Sequence, residues 1–128
     1  MRSVNTFDEL KIPVKHRAYL ENLMKYLKSY SKIEKVLLFG SCANGAASPK
    51  SDIDLYILGS DLTDEDEWDI AWNCPKWDDV EYISCDLLSG THDSYDKMSR
   101  IPGMVQYAVE LMGVDFSGIR NLERRFIQ

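Results

Sequence analysis

Gly40, Ser41, Asp52 and Asp54 have the types and the spacing to do chemistry together. Gly40-Ser41 ends the apolar run Val36-Leu37-Leu38-Phe39. Ten residues later, Asp52-Ile53-Asp54 opens a second apolar run, Leu55-Tyr56-Ile57-Leu58. Two carboxylates at i and i+2 on a strand point to one face. Side by side they repel unless a cation sits between them, and an unpaired buried carboxylate is costly. Magnesium is usually bound by one or two carboxylates and completed by substrate phosphates. A Gly-Ser turn offers backbone N–H groups and a hydroxyl to those phosphates. A metal beside a phosphate cradle implies phosphoryl or nucleotidyl transfer. The bland alternative, a turn followed by a strand start, suits Ser and Asp equally well, but it leaves Asp54 inside an apolar strand with nothing to neutralise it.

The elements that must position these residues follow from periodicity and punctuation. Strands are expected at about Lys35–Phe39 and Ile53–Leu58, with a phosphate turn and a short helix over 40–47 and a loop at Ser48-Pro49-Lys50-Ser51. Leu20, Leu23, Met24 and Leu27 make one stripe of a helix spanning about 14–31, with Pro13 near its start. Thr63 with Asp66 three residues on is a capping-box variant. The helix it opens ends near Asn73, because Pro75 forbids much more. Trp68, Ala71 and Trp72 share a face of that helix, with core packing the expected role of the rings and base stacking the alternative. A third strand is expected at about Val80–Cys85. Tyr95, Met98 and Ile101 continue in helical spacing to Pro102-Gly103, and a helix over Met104–Met112 ends at Gly113. Ile119, Leu122 and Phe126 suggest a last short helix. Strands separated by helices make an α/β (α+β) fold, a small mixed sheet with helices packed on it. The chain reads as one domain over 1–128, with its core at about 33–107 and a helical tail at about 104–128.

Gly40-Ser41, ten residues, then Asp52-x-Asp54 resembles the signature of the DNA polymerase β-like nucleotidyltransferases. The filling, Gly40-Ser41-Cys42-Ala43-Asn44-Gly45 and Ser51-Asp52-Ile53-Asp54-Leu55, is similar to their small minimal-nucleotidyltransferase branch. The resemblance spans about 33–107. It implies a transferase that moves a nucleoside monophosphate, AMP by preference, from a nucleoside triphosphate to a hydroxyl on a protein or small molecule. It also implies two Mg²⁺ ions and a third acid on a later strand, usually Asp with apolar neighbours. Val80-Glu81-Tyr82-Ile83, followed by Asp86-Leu87-Leu88, matches best and puts Glu81 in that role. Asp79, on the same strand face, is the rival. Glu in place of Asp shifts the carboxylate by about a C–C bond length, and misplacements of ~1 Å can cost much of the rate. The second reading is therefore a weak or inactive family member that serves as a protein-binding subunit. The branch's members often work beside a separate helical HEPN-type protein in toxin–antitoxin pairs, so such a partner is expected here.

Bulk properties narrow the setting. The net charge of −6 conceals an asymmetry: residues 1–35 hold eight Lys/Arg and four Asp/Glu (+4), whereas 52–96 hold fourteen Asp/Glu and one Lys (−13). That acidic half argues against an extended nucleic-acid surface. No apolar run reaches the ~20 residues of a membrane span, and the first residues lack the apolar core of a signal peptide. Cys42, Cys74 and Cys85 form no Cys-x-x-Cys and cannot all pair, which favours free thiols in a reducing cytoplasm. Cys42 reads as a small buried residue and not as a nucleophile.

Overall fold

The computed structural model describes residues 1–74 and 83–119. Among the described residues, five strands, β1 (Arg2–Ser3), β2 (Lys35–Phe39), β3 (Ile53–Leu58), β4 (Cys85–Gly90) and β5 (Val114–Asp115), form one sheet in the order β1-β5-β2-β3-β4. The β2–β3 and β2–β5 pairs are antiparallel; the β3–β4 and β1–β5 pairs are parallel. The helices are α1 (Val14–Ser29), α2 (Ser41–Asn44), α3 (Asp64–Asn73), α4 (His92–Met98) and α5 (Val105–Met112). This is a mixed α/β architecture. Among the described residues, no helix is long and apolar enough to cross a membrane.

α1 forms where the apolar stripe demands it. Leu20, Leu23, Met24 and Leu27 are all fully buried, on one face of the sheet with Val36, Leu38, Ile53, Leu55 and Ile57. Each such side chain contributes about 1.5–3 kcal/mol by leaving water. The alternate residues of the same strands, Leu37, Tyr56 and Leu58, face the other way and meet Tyr95 of α4 and Val109 of α5. Period-2 alternation thus divides β2 and β3 between two cores. At Asp54 the second face changes from apolar to acidic.

Thr63 caps α3 as its sequence predicts: Asp66 N donates to Thr63 Oγ1 at 3.1 Å, and Thr63 N donates to Asp66 Oδ2 at 3.0 Å. Asp66 also accepts from Lys32 Nζ at 2.6 Å, and that ammonium holds its carboxyl well below the usual range.

Three expectations change. The third strand runs over Cys85–Gly90, beyond the expected end at Cys85, so Asp86-Leu87-Leu88 is strand interior; residues 80–82 lie outside the described residues. Its register is set by parallel pairing with β3 across the α3 crossover. The tail is not helical throughout: after α5 the chain enters the sheet as β5, between β1 and β2. Phe116 and Ile119 are buried in the α1-side core, and Leu122 and Phe126 lie outside the described residues. The packed body therefore extends beyond 33–107 at both ends. Finally, Trp68 and Trp72 are 64% and 72% exposed, not core. Ile70 and Cys74 occupy the buried face of α3. Positions two residues away lie about half a turn round the helix.

Candidate active site

Strand pairing assembles the site. Asp54, the second residue of β3, is in register with Phe39 at the end of β2 and with Asp86 of β4. Neighbouring strands are ~4.8 Å apart and in-register side chains share a face, so Asp54 and Asp86 meet side by side. Gly40 follows Phe39 directly. It holds φ +74°, in the left-handed region that favours glycine, and a Cβ there would collide with the Asp54 carboxylate. Glycine is required here on both counts: it permits the turn and lets the backbone pass against Asp54. This contact joins the two halves of the motif. The turn leads straight into α2, whose first N–H groups have no intrahelical acceptor. Gly40 O accepts from Ala43 N at 3.1 Å, which closes the turn.

Asp54 is half-buried, and its carboxyl is pushed up to about 6. Burial is the first cause, then the charge of Asp86, a hydrogen bond with Asp86, and the charge of Asp52. Asp52 precedes β3 and is exposed; Ser84 Oγ donates to its Oδ1. Cys42 is buried beneath the turn, where its Sγ donates to Asp52 O at 3.5 Å. Burial, then the charges of Asp54 and Asp52, push its thiol up to about 11, which leaves it protonated and unsuited to nucleophilic attack. His16 of α1 is fully buried, and its Nε2 lies 2.7 Å from the carbonyl oxygen of Ser51. That bond anchors the loop immediately before Asp52.

A cleft of about 460 Å³ opens over the carboxylates. It is lined by Phe39, Asp54, Ala71, Cys85, Asp86, Leu87 and Leu88, and its size is that of a small-molecule site. A larger depression of about 760 Å³ lies at the start of α1 beside Pro49 and contains none of these acids. The chemistry identifies the smaller one as the candidate site.

Gly40, Ser41, Asp52 and Asp54 are therefore brought to one end of the sheet, as their spacing implies. Glu81 and Asp79 lie outside the described residues. Asp86 was missed as a site residue because the strand was placed too early. The signal was present in Cys85-Asp86-Leu87-Leu88, an acid interrupting an apolar run much as Asp54 interrupts its own. Among the described residues, no three Asp, Glu, His or Cys side chains converge on one point. Asp54 and Asp86 abut in register, with Asp52 held alongside by Ser84. A pair of abutting carboxylates is the donor set a hard divalent ion fits, since magnesium takes one or two carboxylates and completes its shell with phosphate oxygens.

The family model described as "Polymerase beta, Nucleotidyltransferase" matches residues 21–90, more than half of the chain. The match runs from the middle of α1 to the last residue of β4 and includes Gly40, Ser41, Asp52, Asp54, Ser84 and Asp86, while His16 lies before it. No curated protein and no solved structure matches the chain significantly.

Proposed function

This chain belongs to the polymerase beta nucleotidyltransferase family, and from that premise we propose that it is a magnesium-dependent transferase. On this reading it moves AMP from ATP to a hydroxyl of an acceptor, a partner protein before a small molecule. The observation that carries the reading is the in-register pair Asp54–Asp86 against the bare backbone of Gly40. Asp54 and Asp86 would hold the metal, with Asp52 alongside and Asp86 in the third-carboxylate role rather than Glu81 or Asp79. Bound magnesium supplies positive charge to the triphosphate and lowers the pKa of a hydroxyl it contacts.

The rest is done by the chain's own residues. Ser84 orients Asp52 through its hydroxyl, and His16 fixes the preceding carbonyl. Gly40 lets the backbone approach closely, and the Ser41 hydroxyl with the free N–H groups at the start of α2 faces anionic oxygen. Phe39 and Leu88 give the cleft apolar walls that exclude water. In-line attack of the acceptor oxygen on the α-phosphorus forms the new P–O bond as the bond to pyrophosphate breaks. Catalysis of this kind is positioning and electrostatics. An all-helical HEPN-type protein is the first partner class to examine.

Calorimetric titration of ATP with and without Mg²⁺ tests the reading. Metal-dependent binding that disappears in Asp54→Asn and Asp86→Asn and survives Glu81→Gln is expected. Retention in Asp86→Asn with loss in Glu81→Gln would return the third role to Glu81. Failure of ATP, GTP, CTP and UTP alike to bind would overturn the transferase reading and favour a protein-binding subunit.

A further inference from the structure

The two exposed tryptophans of α3 have no part in the site chemistry. Their indoles stack on each other, with centroids 5.4 Å apart and planes 7° from parallel, so each keeps one broad face toward solvent. Such a large exposed aromatic surface on a helix marks a place of contact. The helix surrounds it with negative charge. Spacings of three and four residues put Asp64, Glu65 and Asp69 on the same face as Trp68 and Trp72. All three acids are exposed. Among the described residues none of them has an ion-pair partner; Asp69 accepts only from Asn73 of its own helix. No Lys, Arg or His occurs anywhere from Ser51 to Cys74. Ala71, between the two tryptophans in sequence, lines the cleft that holds Asp54 and Asp86.

We infer that the Trp68–Trp72 face of α3 docks an arginine-bearing basic segment of the acceptor protein and so delivers its hydroxyl to the neighbouring cleft. Charge complementarity selects the occupant. A guanidinium lies flat on an indole face and still has N–H groups directed outward to carboxylates. The acids on this face repel polyphosphate and nucleic acid. Lysine gains the charge attraction without the planar stack. The delivery role rests on the transferase reading; the docking surface itself does not.

The test uses the full chain and N-acetylated hexa-arginine amide as probe, followed by calorimetry at low salt. One-to-one binding is expected, several-fold tighter than for the matching hexa-lysine peptide. It should weaken about tenfold or more in Trp68→Ala/Trp72→Ala, as loss of a well-formed cation–π contact implies. Asp64→Asn/Glu65→Gln should weaken it further at low salt than at high salt. Because both rings are exposed, the thermal midpoint of the tryptophan variant should stay close to that of wild type. Equal binding of wild type and tryptophan variant, or of arginine and lysine peptides, would overturn the inference. So would an oligoadenylate that binds through the two tryptophans in place of the peptide. Magnesium-dependent ATP binding, measured on the same tryptophan variant, should be unchanged. Its absence from wild type would defeat the transferase reading while the peptide result still decides the surface.

Discussion

Replacing Asp54 by Asn should make the metal-free protein more stable at neutral pH while abolishing metal-dependent nucleotide binding. Folding raises the Asp54 carboxyl from 3.8 to about 6. Below pH 3.8 it is protonated in both the folded and unfolded chain and costs nothing. Between 3.8 and 6 the unfolded chain has released the proton and the folded chain keeps it, so stability falls as pH rises. Above 6 both states are ionised and the full cost is present. At about 1.4 kcal/mol per unit of pKa, that cost has a ceiling of about 3 kcal/mol. Solvent reaching the half-buried group reduces it, so about 2 kcal/mol is the expected gain in Asp54→Asn. Urea unfolding in EDTA at pH 4, 6 and 8 measures it: the variant should exceed wild type by about 2 kcal/mol at pH 8 and by little at pH 4. Magnesium with ATP should then stabilise wild type in proportion to ligand concentration and leave the variant unmoved. A variant less stable than wild type at pH 8, or a gain that does not change from pH 4 to 8, would refute the argument that burial and the neighbouring acids oppose an ionised Asp54.

Gly40→Ala introduces a Cβ against the Asp54 carboxylate at a positive φ; it should cost about 1–3 kcal/mol by thermal unfolding and sharply weaken metal-dependent ATP binding. His16→Ala removes a fully buried ring and its bond to the Ser51 carbonyl. It should cost about 2–4 kcal/mol, and nucleotide affinity should recover in part in His16→Asn if the bond positions Asp52. Thr63→Ala removes the cap of α3, about 1 kcal/mol in denaturant titration, with no change in ATP binding. Cys42 should resist iodoacetamide at pH 8 in the folded chain, since its thiol is buried and raised to about 11; rapid alkylation under native conditions would contradict the packing beneath the turn.

Local signals carried much of this protein into view. The α1 stripe, the two central strands, the capped start of α3 and the Gly-Ser and Asp-x-Asp motifs depend on interactions within a few residues: helical and strand periodicity, a positive-φ glycine, a side-chain cap. Each was legible from neighbouring residue types. So was the acid that interrupts β3, a residue that is expensive there unless a cation answers it. What composition and spacing left undecided were matters of long-range pairing. β1 and β5 contribute two residues each, too short for any alternation to show, and exist because they pair with each other and with β2. The tryptophans could be assigned to a face but not to the core or to water, because that depends on which face of α3 the sheet takes, and Ile70 and Cys74 take it. The acid beside Asp54 turned on the register of β4, because parallel pairing with β3 sets Asp86 next to it. By itself the sequence determined the Gly-Ser turn that ends one apolar strand and the acids that open the next, since both are written in neighbouring residue types. Only the tertiary structure decided which acid from a distant strand joins them, because strand register is set by pairing and packing between segments and not by the residues of either strand alone.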